Sequence, residues 1–454
     1  MMNVEIYDTL SHKKKRLEPL DNTVRIYHCG MTVQARPHVG HLRGYIVMDA
    51  LRRFLRWKGF GVKLIQNITD IDDKVIEKSR AEGIDWRMLA ERNTQELVYV
   101  TSALNVEPPT VMPRATQHIE EIIRLVSLLV DKKHAYESAG DVYFDVRSYP
   151  RYGLLSGKNI DDLESGARVD PSENKRDPLD FALWKSAKPG EPYWFSPWGS
   201  GRPGWHIECS AMSTHYLGSG FDLHAGGEDL VFPHHENEIA QFEAATGEPF
   251  AKSWMHVEML NLSGQKMSKS TGHVITARDV LEMYDPNVLR MFILRVHYRA
   301  QTEYSFEGME EAKSAWERIS TFLTGVESSL DEHNIVLEYP EFESALADDF
   351  NTPKATALMF ELVRQGNEAL AAGEISKLKE VSAKLNLALD ILGFKPRRER
   401  GSENLDKLVS IILEFRTELR KAKSFEWADK LRDAIQGAGL VLEDTKDGSR
   451  IRFK

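Results

Sequence analysis

The sequence predicts an α/β fold built on a nucleotide-binding β-α-β unit, with an inserted subdomain, a following helical bundle and a small C-terminal domain. Three observations carry this expectation. Val24-Arg-Ile-Tyr-His-Cys29 reads as a strand that runs into a helix and then a second strand, Val62 to Ile68. A second strand-to-loop transition, Phe221-Asp-Leu-His224 into Ala225-Gly226-Gly227, precedes another helix from Pro233 to Ala245. From about Trp316 the pattern is helical almost to the end.

In the first unit a loop from Gly30 to Gly40 leads into a helix from about His41 to Lys58. Leu42, Ile46, Leu51, Phe54 and Leu55 are among its apolar positions, with Arg56 and Lys58 near its end and Gly59 as its stop. The first strand-helix junction offers free N–H groups and the positive end of a helix dipole, which favour phosphate. That makes the region a Rossmann-like half-domain. Residues 86–133 read as helical and amphipathic, and 134–200 as an irregular insertion rich in Gly, Pro, Asp and Trp. The formal G-x-G-x-x-G of Gly199 to Gly204 is rejected as a dinucleotide fingerprint. Pro197-Trp198 stands where a strand should precede it, and Pro203-Gly204 is poor helix material. The helical region is interrupted near 330–340, Lys395-Pro-Arg-Arg-Glu-Arg400 reads as a linker, 404–436 as one or two helices and 441–453 as a β-like tail.

The domain boundaries that follow are 1–124 and 204–255 for the two Rossmann halves and 125–203 for the insertion. Residues 256–315 form a lysine-loop linking domain, 316–394 the bundle, and 395–454 the linker with the terminal domain. A chain of 454 residues with 42% hydrophobic residues can bury a large core. It has no apolar run near the ~18 residues of a membrane span, and its start lacks a signal-peptide h-region, so a cytoplasmic, membrane-free protein is expected. Two cysteines exclude a disulfide framework and leave each as a buried filler or a ligand. The net charge of -10 argues against nucleic acid only as a sum, because 395–454 holds 15 Lys+Arg against 11 Asp+Glu. Solvated i,i+4 ion pairs on helices would give the same local excess.

Two short runs carry the chemistry. His38-Val-Gly-His41 sits on the strand-to-helix turn, and Lys266-Met-Ser-Lys269-Ser270 on a distant loop. Donors from the first and positive charge from the second would surround a triphosphate split at its α-phosphorus. Either run alone is weak. Further on, His234 and Glu238 are i and i+4 on a predicted helix, so both can point from one face. A surface ion pair is the commoner meaning of that spacing. Cys29 and Cys209 would complete a mixed sulfur, nitrogen and oxygen set for a metal. Spacing does not show that the four meet.

Together and in this order the two runs resemble the signatures of class I aminoacyl-tRNA synthetases. Tyr27-His-Cys-Gly-Met-Thr-Val33, Asn67-Ile-Thr-Asp-Ile-Asp-Asp-Lys74, Asp180-Phe-Ala-Leu-Trp-Lys185, Pro203-Gly-Trp-His-Ile-Glu-Cys-Ser-Ala-Met212 and Phe232-Pro-His-His-Glu-Asn-Glu-Ile-Ala-Gln241 resemble the cysteinyl-tRNA synthetases. So do Asp348-Asp-Phe-Asn-Thr-Pro353, Ala428-Asp-Lys-Leu-Arg-Asp433 and Leu442-Glu-Asp-Thr445. The resemblance implies a ligase that activates L-cysteine with ATP and Mg2+ and then charges tRNA(Cys). It implies one zinc on Cys29, Cys209, His234 and Glu238 that binds the substrate thiolate. It makes His38, His41, Lys266 and Lys269 catalytic, puts Gly40, His224, Gly226, Gly227 and Asp229 along the nucleotide or aminoacyl side, sets Trp205 as a pocket wall and implies a monomer.

An apolar pocket separates near-isosteres by only about 10- to 200-fold, so thiolate-preferring zinc suits the exclusion of serine. Arg416, Arg420 and Arg432 are expected to meet anticodon bases, with Phe425 and Trp427 mainly in the core of the terminal domain. Met31, Ala225, Thr271 and His273 depart from common family residues without removing a ligand or a charge. The nearest rival is an ATP-dependent cysteine ligase acting on an amino sugar, which has no need of an anticodon reader.

Overall fold

The computed structural model describes residues 3–159, 174–261, 276–326, 338–396, 403–437, 440–445 and 448–453. The chain divides into two compact units, Met1–Lys395 and Pro396–Lys454. The first opens with an antiparallel pair, β1 (Glu5–Asp8) and β2 (Lys13–Arg16), followed by β3 (Thr23–His28), α1 (Val39–Trp57) and β4 (Gly61–Gln66). Then come α2 (Asp73–Glu82), α3 (Trp86–Ala103) and α4 (Ile119–Asp131). The insertion is an antiparallel sheet of β5 (Ala135–Ser138), β6 (Asp141–Phe144), β7 (Phe181–Ser186), β8 (Trp194–Ser196) and β9 (Gly199–Pro203), in the order β5-β6-β7-β9-β8. The chain returns through α5 (Trp205–Leu217), β10 (Leu223–Gly227), α6 (Glu236–Thr246) and β11 (Trp254–Val257).

Order β11-β10-β3-β4, all parallel, defines the central sheet. β3 continues outward to β4, and β10 outward to β11 on the other side. The crevice between the ends of β3 and β10 is therefore the topological switch point, where open parallel sheets bind ligands. Both faces of the sheet are covered, as parallel sheets require. Val24 and Ile26 share a core with α1, while Tyr27 of the same strand packs in a second core with α4, α5 and α6 residues.

Beyond the sheet run β12 (Leu260–Asn261), α7 (Ala277–Met283), α8 (Pro286–Leu294), β13 (Thr302–Glu303), α9 (Phe306–Val326), α10 (Pro340–Ala347), α11 (Thr352–Ala372) and α12 (Ile375–Ile391). Three expected boundaries cut elements: 124/125 falls inside α4, 255/256 inside β11 and 315/316 inside α9. α9 starts earlier than expected although Gly308, an unfavourable helix residue, lies in its first turn: the Ser305 hydroxyl accepts from the Gly308 N–H at 3.0 Å, and Met309 and Ala312 are buried. The Gly199–Gly204 run is a strand leading into α5, so a strand-helix junction does exist there. Its glycines serve antiparallel packing, since a Cβ on Gly201 would lie 2.3 Å from Trp184 Nε1 and one on Gly204 1.9 Å from the Ala182 carbonyl.

The second unit holds α13 (Glu403–Lys421), α14 (Phe425–Gly437) and a hairpin of β14 (Leu440–Thr445) with β15 (Gly448–Phe453). Here one expectation is corrected: Phe425 and Trp427 are not core but 56% and 63% exposed. α14 buries Ala428 and Ile435 with Leu431 partly buried, and that i, i+3, i+7 stripe turns Trp427 outward. Arg420 and Arg432 are exposed as expected, and Arg416 is buried. No helix among the described residues is long and apolar enough to cross a membrane.

Candidate active site and metal centre

Cys29 follows the last residue of β3, and its N–H donates to the Ala225 carbonyl of β10 at 2.9 Å. Cys209 lies in the second turn of α5. His234 comes from the turn before α6, and Glu238 from the first turn of α6. All four are buried, and their ligand atoms lie within 4.8 Å of one another. Four-coordinate zinc, with sulfur at about 2.3 Å and nitrogen or oxygen at about 2.0–2.1 Å, implies edges of about 3.8 Å for S···S, about 3.5 Å for S···O and about 3.3 Å for N···O. The corresponding distances are 3.8 Å for Cys29 Sγ to Cys209 Sγ, 3.6 Å for Cys29 Sγ to Glu238 Oε1 and 3.0 Å for His234 Nε2 to Glu238 Oε1. The donor set fits the ion.

A second set, Cys29, His224, His235 and Glu238, also converges within 4.8 Å, with His235 Nε2 3.3 Å from Cys29 Sγ. It leaves Cys209 aside and offers one thiol where the first set offers two. His224 Nε2 lies 2.8 Å from Glu238 Oε2, the oxygen turned away from Cys29, and His235 Nδ1 lies 2.7 Å from His256 Nε2. His256 Nδ1 in turn meets the Thr9 hydroxyl at 2.7 Å. These imidazoles form a supporting shell of the kind that orients metal ligands. Charge in the cluster follows from proximity. The hydrogen bond from Cys29 holds the Cys209 thiol at about 6 against the effect of burial, and burial pushes Cys29 well up. Burial also raises Glu238, but the His224 and His234 imidazoles override it and hold the carboxyl at about 2. Glu238 and Cys209 in turn hold the His234 imidazole up at about 10 against the effect of burial.

The other end of the crevice is more open. His38 is the N-cap of α1, in an extended conformation, and stacks on His41 with ring centroids 3.7 Å apart. His41 Nδ1 accepts from the His38 backbone N–H at 3.2 Å, which leaves the imidazole proton on Nε2. Burial, helped by His38, pushes His41 down to about 3, so it is a neutral donor at physiological pH. His38 Nδ1 has no hydrogen-bond partner among the described residues. Lys266 and Lys269 lie outside the described residues. The flanks of their segment do not: Ala277 N–H donates to the Pro37 carbonyl at 2.8 Å, and His38 bridges Thr276.

The catalytic-domain model of class I (C) tRNA synthetases matches residues 16–314, and the DALR domain matches 341–395. The cysteine-tRNA ligase of Persephonella marina is 43% identical, over 100% of both chains. The chain belongs to the cysteine-tRNA ligases. That of Caldicellulosiruptor saccharolyticus is 46% identical over 99% of each chain. A Mycobacterium tuberculosis methionyl-tRNA synthetase with methionyl-adenylate shares the fold, at a TM-score of 0.55 and 16% identity over 82% of this chain and 89% of that one. The DALR match falls on α10 to α12, the later part of the expected helical bundle. Nothing in the comparisons supports the amino-sugar ligase reading.

Within this cysteine-tRNA ligase several expected nucleotide-side residues have other neighbours. His224, fully buried, faces Glu238 and stacks on Trp254 at 4.3 Å, so it stands behind the thiol cluster rather than along an open nucleotide surface. A Cβ on Gly226 would lie 2.6 Å from the His235 ring, and one on Gly40 3.0 Å from the His38 ring. A Cβ on Gly227 would lie 2.5 Å from Asp229 Oδ1, and Asp229 itself is exposed on the turn after β10. Trp205 packs against His234 with ring centroids 4.2 Å apart and is 36% exposed, which suits a pocket wall. Met31 is buried with Tyr45 and Ile68, and Ala225 is buried in the sheet, so neither departure opens the crevice. Sequence reasoning missed His206, His235 and His256. One signal was available: six of the fifteen histidines fall between 206 and 256.

Proposed function

We propose that this cysteine-tRNA ligase selects its amino acid through one zinc held by Cys29, Cys209, His234 and Glu238. The bound metal would supply a direct bond to the substrate thiolate, which serine cannot offer on the same terms. The carrying observation is the fit of three distances among the four donors to a tetrahedral zinc, at the switch point of the sheet and beside the histidine turn. His224 would hold Glu238 in place, and Trp205 would wall the pocket.

In the first step the cysteine carboxylate attacks the α-phosphorus of ATP, which enters with Mg2+, and pyrophosphate leaves. His41 Nε2 and the His38 imidazole would donate to phosphate oxygens as charge builds there, while Lys266 and Lys269 would neutralise the β- and γ-phosphates. Gly40 in the first turn of α1 and Gly227 at the end of β10 would keep the backbone bare beside the nucleotide, with Gly226 and Asp229 on the aminoacyl side. A ribose hydroxyl at the 3′ end of tRNA(Cys) then attacks the adenylate carbonyl and AMP leaves. The terminal unit, with Arg420, Arg432, Phe425 and Trp427 exposed, would read the anticodon.

The test is aminoacylation with cysteine and serine side by side, with and without a zinc chelator. Chelation should abolish cysteine charging, and zinc alone should restore it. Undiminished charging by a chain shown by metal analysis to be zinc-free would sink the proposal.

A further inference from the structure

Arg43 lies in the second turn of α1, two residues beyond His41, and is 1% exposed. Its guanidinium bonds no carboxylate among the described residues. Nη1 donates to the carbonyls of Glu258 (2.8 Å) and Met259 (3.0 Å), and Nη2 to those of His297 (3.0 Å) and Ala300 (2.6 Å). Every Nη hydrogen is thus directed at backbone oxygen, while the buried Nε has no partner among the described residues. Burying a cation is costly unless its donors are satisfied, and an apolar side chain would fill the same space at lower cost. Only the planar fork of arginine can hold two backbone segments at once.

Those segments are specific in what they join. Glu258 and Met259 connect β11 to β12, and His297 to Ala300 lead into β13, the parallel partner of β12. The two are tied by Glu258 N–H donating to the Tyr298 carbonyl at 2.8 Å and Tyr304 N–H to that of Asn261 at 2.8 Å. Arg43 therefore fastens the first turns of α1 to a small backbone platform at the edge of the crevice. The contrast with Arg290, the other fully buried guanidinium of this region, is informative. Arg290 pairs with the Asp49 carboxylate and bonds the Leu104 and Leu392 carbonyls, far along α1 from the histidines. Burial pushes Arg43 down to about 10, which leaves it cationic at neutral pH.

We infer that Arg43 is a positioning residue for adenylate formation, fixing the register of the His38–His41 turn against the Glu258–Met259 and His297–Ala300 backbone without touching substrate. This rests on His38 and His41 acting as phosphate donors. A displacement of about 1 Å in such donors costs on the order of 100-fold in rate. The proposed cysteine pocket is built from β3, α5 and α6, with none of which the Arg43 side chain forms a hydrogen bond among the described residues.

The test is Arg43→Lys, with Arg43→Gln beside it, in the full chain. Lysine keeps the charge but cannot reach both segments. In cysteine-dependent ATP–pyrophosphate exchange, kcat should fall roughly 100-fold while KM for cysteine stays within about threefold, with metal content unchanged. Amide exchange should quicken around 258–261 and 297–304 and not around Cys29 or Cys209. Wild-type kcat in both variants overturns the inference, as does a parallel loss of cysteine binding and metal. Failure of both variants to fold also overturns it, because Arg43 would then be a general structural residue. His41→Ala separates the two layers. If it exchanges at the wild-type rate, the phosphate-donor reading itself has failed. If it is slow and Arg43→Lys is not, only the role of Arg43 is lost.

Discussion

The two ends of the crevice are built on opposite principles. At the thiol end every donor is buried, and Cys29, His234 and Glu238 each have an imidazole behind them. At the histidine end His38 and His41 are only partly buried and His38 Nδ1 is unpartnered. The difference matches the proposed tasks. Telling sulfur from oxygen depends on a few tenths of an ångström in donor geometry and gains from rigidity. Phosphoryl chemistry needs donors that meet a ligand arriving from solvent, and charge stabilisation there counts mainly in the transition state.

The sharpest way to break this comparison is Cys209→Ser. It should lower cysteine-dependent exchange by at least ~10³-fold and reduce bound metal, since one thiolate edge of the cluster is lost. Retention of near-stoichiometric metal with normal exchange would mean that the thiol end does not hold the ion. Lys269→Ala acts at the other end and should slow exchange by about 10²–10³-fold while cysteine binding and metal content stay level. Equal losses of binding and rate would erase the proposed division.

Smaller effects sharpen it. His224→Ala removes the partner of Glu238 Oε2 and should weaken metal affinity by about 10- to 100-fold, read by competition with a chelator. An unchanged affinity would make His224 a packing residue. His41 supplies the smallest effect. In the folded chain it titrates at about 3, against an ordinary 6.5, because of burial and His38. The unfolded chain therefore binds the extra proton between those values, and stability is lost as pH falls through that window. Urea midpoints measured near pH 7 and near pH 5 should fall less in His41→Ala than in the wild type. An equal fall in both would place the acid sensitivity elsewhere.

Local pattern alone determined much of this protein. The period of Leu42 to Leu55, the strand before Cys29 and the His38-to-His41 turn set the first β-α-β unit, because side-chain spacing reports helix and strand directly. The residue types at Cys29, Cys209, His234 and Glu238 defined a donor set suited to zinc. Tertiary structure decided what spacing cannot reach. It brought Cys29 and Cys209, 180 positions apart, to 3.8 Å by pairing β3 with β10 and laying α5 against them. It moved His224 behind Glu238, since a residue two into a buried central strand faces a core and not an open cleft. It also turned Trp427 outward, because in so small a unit a single stripe of α14 is buried and an aromatic residue one position off that stripe faces solvent. Such outcomes depend on which surfaces meet, and a chain read one segment at a time holds no record of its neighbours.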